Sequence, residues 1–157
     1  MTQRKNGAAG ALLDEYEKSL LELRQVIKNI TSERLCAIAD PATKDPDCAS
    51  IQTVLSHVVQ SGYTYVVEIR KWLGEEVDYK PKVAFPSVDL YLLALQKMFE
   101  YNVQLFEDYP NLELETYDSD KKIKVRWGQR YDVEQLMEHA IVHVLRHRRQ
   151  IERFLNS

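Results

Sequence analysis

Three of the four histidines in the 157-residue chain, His139, His143 and His147, recur at four-residue intervals near its C-terminal end. A helix advances about 3.6 residues per turn, so positions i, i+4 and i+8 share nearly one face. Imidazoles one turn apart can converge on a single metal ion. The HExxH zinc enzymes use that device, although the glutamate of their motif is absent here. The fourth histidine, His57, lies in a separate helix-like segment. These residue types at this spacing point to metal chemistry before they point to any reaction.

Three imidazoles with an open fourth position make the usual catalytic zinc site, in which the ion lowers the pKa of a bound water. Such ligation equally suits nickel, copper or ferrous iron, so the donors alone do not choose the metal. The competing account is structural. A single inward-facing histidine is more often a hydrogen-bonded core residue than a ligand, which weighs most on His57 and least on the pair His143 and His147.

The elements that must position these side chains are legible from apolar spacing. Residues 1–9 are small and polar and are expected to fray. From Leu13 the residues Tyr16, Leu20, Leu23, Ile27 and Ile30 follow in steps of three and four, a bundle seam. Pro41 and Pro46 break the chain. Ser50 then caps a second helix carrying Ile51, Val54, Val58, Tyr65, Ile69 and Trp72 and ending near Gly74. After Pro81 and Pro86, Ser87 opens a third helix that Pro110 stops. The period then changes: Leu112, Leu114 and Thr116, and later Ile123, Val125 and Trp127, alternate around Asp118–Lys121, which predicts a short hairpin or extended excursion. Asp132 and Gln135 form a capping box for the last helix. The fold class expected is all-α, a four-helix bundle making one domain over residues 1–157.

On the last helix the core positions run Val133, Met137, Ala140, Val144, His147, Ile151 and Phe154. His147 therefore lies on the seam and His143 beside it, facing inward. His139 drifts to the edge, because each four-residue step overshoots a turn by about 40°. His57 sits between Val54 and Ser61 and can reach the pair if the second and last helices are neighbours. Glu68, Glu100 and Glu138 are candidates to hold the free ring N–H of a ligating imidazole. Trp127 and Tyr131 are candidates for a pocket mouth, though packing is the commoner role of such aromatics.

Composition narrows the function classes. A net charge of −3 argues against a general grip on nucleic acid. Arg146, Arg148, Arg149 and Arg153 gather near a helix C-terminus, where cations offset the dipole. No apolar run approaches a membrane span, and the first residues carry no signal-peptide pattern. Cys36 and Cys48 are too few for a disulfide scaffold and read as free thiols of a cytoplasmic protein. No nucleic-acid or membrane partner is expected, only a small-molecule substrate.

The segment His143-Val144-Leu145-Arg146-His147-Arg148-Arg149-Gln150 resembles the HxxxHRGQ signature in the last helix of the DinB/YfiT metalloenzyme superfamily. Leu55-Ser56-His57 is similar to the L-x-H segment of that family's second helix. The resemblance implies an up-down-down-up four-helix bundle, frequently a homodimer, with His57, His143 and His147 as ligands of a divalent metal, often zinc or nickel. It also implies metal-dependent transfer or isomerisation chemistry with a low-molecular-weight thiol such as bacillithiol or mycothiol as co-substrate. The sequence departs from the signature at Arg149, where the family usually has Gly. A cation there could narrow the pocket or recruit an anion.

Neutral imidazoles leave an ion its full charge, so a bound thiol would be held as thiolate without a separate base. A metal-hydroxide hydrolase would use the same residues. A non-catalytic, metal-stabilised binding or regulatory protein is the alternative from another class. The discriminator is coordination: a fourth protein ligand such as His139 would close the site.

Overall fold

The computed structural model describes residues 7–157. Its helices are α1 (Gly7–Ile27), a short α2 (Ser32–Cys36), α3 (Ile51–Trp72), α4 (Val88–Asp108) and α5 (Val133–Leu155). The expectation of fraying at 1–9 lies, for residues 1–6, outside the described residues. At residues 7–9 it gives way to helix, because Ala9 is buried against the core and starts the seam one turn before Leu13.

The long helices start where the capping residues placed them. Ser50 accepts from the Thr53 amide and Thr53 Oγ1 from the Ser50 amide, a closed capping box. Asp132 and Gln135 do the same for α5, at 2.8 and 3.0 Å. Ser87 occupies the N-cap position of α4 without making a side-chain cap. Helix α3 ends two residues before Gly74, whose positive φ of 93° turns the chain away.

Cross-helix pairs give the directions. Tyr16 meets Met98 and Phe99 while Arg24 meets Gln96, so α1 and α4 are antiparallel. Ser56 pairs with Tyr91, Gly62 with Asn102 and Arg70 with Asp108, so α3 and α4 run parallel. His57 meets His147 and Tyr65 meets His139, so α3 and α5 are antiparallel. The order is up-down-down-up, with α5 packed between α1 and α3.

Parallel neighbours need a connection as long as the bundle, roughly 30 Å for a 21-residue helix. Residues 73–87 supply it as an extended strap running back along α3. Tyr79 donates to Glu68 Oε1 at 2.8 Å, and the side chain of Gln52 donates to the Phe85 carbonyl at 2.9 Å. The hairpin before α5 lies later than the alternation suggested. Residues 112–116 are extended but unpaired, Ser119–Lys121 form a single turn, and only Ile123–Lys124 pairs with Arg130–Tyr131. Gly128 makes the reversal with φ of 96°. Ile123 and Val125 are buried, and Arg126 donates its amide to Glu68 Oε1 at 3.0 Å, so the hairpin is anchored to α3. No helix among the described residues is long and apolar enough to cross a membrane.

Candidate metal centre

Because α3 and α5 are antiparallel neighbours, His57 meets the pair projecting from α5. His143 and His147 are buried and His57 is half-buried. Nε2 of His143 lies 2.9 Å from Nε2 of His57 and 3.2 Å from Nε2 of His147. Donor atoms of the three residues all fall within 4.8 Å of one another.

The partners of the outer ring atoms decide what those inner nitrogens carry. Asp47 Oδ2 sits 3.2 Å from Nδ1 of His57, and a carboxylate only accepts, so the proton is on Nδ1 and Nε2 presents a lone pair. Gln150 Oε1, 2.8 Å from Nδ1 of His147, fixes the same tautomer there. Both lone pairs face the same nitrogen of His143, which holds at most one proton and can satisfy only one of them well. Adding protons is no remedy. Burial and the neighbouring imidazoles push His143 down to about 2, and burial lowers His57 and His147 as well. A cation that binds lone pairs would satisfy the facing nitrogens together.

A divalent ion fits that description. Metal–imidazole bonds of about 2.0–2.1 Å place paired nitrogens about 3–3.5 Å apart, close to the 2.9 and 3.2 Å from His143 to its two neighbours. Asp47 and Gln150 then act as the outer acceptors that hold ligating imidazoles in tautomer and orientation. Asp47 is itself held by Lys82 from the strap.

The sequence matches the profile of the DinB family over residues 1–156. The chain belongs to the DinB family. No curated protein matches it.

The remaining residues singled out in the sequence fall around this DinB-family centre. His139 does not join the donors. Its ring stacks on His143 at a centroid distance of 6.2 Å and on Trp127 at 6.1 Å, with Tyr65 edge-on at 5.5 Å. Of the glutamates named as candidates, Glu68 instead receives Tyr79 and Arg126, and Glu100 receives Gln96. The partners that sequence reasoning missed are Asp47 and Gln150. Gln150 carried a signal, since i+3 on a helix lies beside i. Asp47 carried none, because only the folded loop brings it under α3.

Two adjoining grooves, which share Asp47, His57 and Arg146, reach the trio. One, about 850 Å³, includes His57 and His147 together with Arg146, Arg149 and Arg153. The other, about 580 Å³, includes His57, His143, Tyr65, Trp127 and His139. Arg146 borders both. Trp127, 41% exposed, forms part of the second groove's wall as well as packing on His139. Among the described residues no fourth histidine, cysteine or carboxylate completes the cluster.

Proposed function

We propose that this DinB-family chain is a metal-dependent enzyme that binds a divalent ion, zinc or nickel, through His57, His143 and His147, and that it transfers a group to or from a low-molecular-weight thiol. The observation that carries the reading is the convergence of two tautomer-fixed lone pairs on one imidazole nitrogen. When bound, such an ion would act as a Lewis acid, lowering the pKa of a thiol or water that joins it.

The chain's own residues supply the rest. Asp47 and Gln150 keep Nδ1–H on the two outer imidazoles and aim Nε2 inward. The adjoining grooves leave room beside one centre for a thiol and an electrophile, which suits a reaction between them better than a closed structural site would. His139 and the Trp127 ring wall one approach, and among the described residues no fourth donor joins the three imidazoles that would hold the ion. The same reading takes the protein as a cytoplasmic homodimer acting on a small molecule. Sedimentation at twice the 18.4 kDa chain mass tests the dimer.

The first test is metal content of untagged protein that has met no chelator. About one ion per chain is expected, lost on His57→Ala, His143→Ala or His147→Ala and kept on His139→Ala. Absence of metal even after reconstitution with zinc and nickel would overturn the proposal. With metal present, consumption of free thiol in the presence of an electrophile tests the transfer step. Loss of that consumption in the three metal-free variants is expected.

A further inference from the structure

We propose that the larger groove beside the trio is an oxyanion subsite, in which Arg146, Arg149 and Arg153 hold a phosphate or carboxylate group of the substrate. The statement that the rest of the substrate points to the metal rests on the function proposed above; anion binding itself does not.

The three arginines, with Val142, follow one another along α5 in steps of four, three and four residues, so they form one stripe on the groove wall that also carries His147. All three are exposed, and none has an ion-pair partner among the described residues. Arg148, which interrupts them in sequence, behaves differently. It turns to Glu22 on α1 and lies 3.7 Å from Glu152, so the stripe is not a general excess of surface charge. Cations at this spacing repel one another, and a bound anion reverses that repulsion.

The helix dipole does not account for the stripe. Its field is confined to the last turn, where Arg153 stands, while Arg146 and Arg149 lie earlier. Nor does either carboxylate on the loop side of the groove pair with it. Asp47 is engaged by Lys82 and by Nδ1 of His57. Asp45 turns back into its own loop, accepting from the Asp47 amide at 2.9 Å and from the Cys48 thiol at 3.5 Å. What remains is three unpaired guanidinium groups facing a groove of about 850 Å³, within the range of small-molecule sites. Planar forks of donors match phosphate and carboxylate oxygens two at a time. The groove is bounded and the chain is acidic overall, which favours a small anion over a nucleic-acid backbone.

Calorimetric titration of the full chain, as purified and again after dialysis against EDTA, with inorganic phosphate and with malonate as probes, tests the subsite. Saturable binding is expected in both states, weakened at least about tenfold by Arg146→Gln with Arg149→Gln and left within about twofold by Arg148→Gln. Tighter phosphate than malonate assigns a phosphorylated substrate, and the reverse order a carboxylated one. Absence of saturation, or binding that ignores the arginine pair and vanishes with EDTA, overturns the proposal. Zinc uptake by the same proteins keeps the two readings apart. A chain that binds anions but no ion breaks the metal-centre reading alone. A chain that binds zinc but neither anion breaks the subsite alone.

Discussion

Towards α4, helix α3 places Gly62 directly under the Met98 side chain, where a methyl group would overlap the sulfur. Towards α5 the same helix extends His57 into contact with two further imidazoles. The first face is completed by the chain itself. Asn102 is fully buried, yet its amide donates to the carbonyls of Gly62 and Met98 at 3.2 and 3.0 Å, leaving one oxygen unpaired. Tyr16 closes the contact from α1 through its hydroxyl on Met98 Sδ at 3.5 Å. The second face buries His143 and His147, half-buries His57, and leaves lone pairs pointing at one imidazole nitrogen. Packing explains one face. The other is a three-imidazole cluster that a metal ion would complete, and that difference is what supports the function proposed for it.

The comparison breaks most visibly at His143. His143→Ala is expected to weaken zinc binding by more than about 100-fold, beyond what the loss of an outer partner costs. His143→Leu takes away the one nitrogen that both lone pairs face, so in metal-free protein it is expected to lower the urea midpoint, by about 1–3 kcal/mol in stability. Zinc binding retained by the leucine variant would make the trio an ordinary core network.

The α4 face should answer in the opposite way. Gly62→Ala forces Met98 aside and is expected to cost about 1–3 kcal/mol in urea unfolding. Folded protein should still take up its full complement of zinc. Coupled loss of stability and stoichiometry would show that the two faces are not independent.

A smaller effect is expected from the support of His57. Asp47→Ala frees Nδ1 of the ring and is expected to reduce zinc affinity about tenfold, the lower end for an outer acceptor, because His57 is only half-buried and water can replace the carboxylate. Competition with a chromophoric chelator measures it. An unchanged affinity would leave Asp47 as a partner of Lys82 only.

How much of this was legible beforehand follows the same divide. The four long helices and the inward position of His143 and His147 come from spacing along single elements, where three- and four-residue steps carry the whole signal. His57 was legible as an inward residue, while its meeting with α5 depended on helix order, which the resemblance supplied and the spacing did not. Helix α2 escaped notice because five residues, capped by Thr31, are too few to show a period. The hairpin was displaced because residues 112–116 alternate as a strand does: Leu112 and Leu114 tuck partly under the core while their neighbours stay exposed, without any ladder partner. Asp47 was invisible for a third reason. Its place is set by the turn at Pro46–Cys48 and by Lys82 on the strap, contacts between segments that share no sequence pattern.

Acid separates the regions by pH window. In chelated protein the trio's folded pKa values lie below the unfolded value of about 6.5, so the native state stays neutral while the unfolded chain takes up protons first. The contribution is therefore intact above about pH 6.5 and declines as the pH falls below it, by up to about 1.4 kcal/mol per pH unit for each histidine. At the far end of α3, Arg70 joins Glu75 at 2.9 Å and Asp108 at 2.7 Å. The Tyr109 hydroxyl and Arg70 lower the Glu75 carboxyl, and Arg70 with Gln104 lowers that of Asp108. Their contribution has the opposite origin, a charged native form, and is kept above about pH 4 and lost as the pH falls through the lowered folded values. Urea midpoints of chelated protein should thus descend in two limbs, one starting near pH 6.5 and one below pH 4. His143→Leu should make the descent shallower from pH 6.5 downward and through the lower limb, because its folded value lies at about 2, and Arg70→Gln should diminish only the lower limb. A profile flat from pH 7 to 5 would mean that the imidazoles accept protons in the folded state as readily as in the unfolded one, and the argument for lone pairs awaiting a metal would go with it.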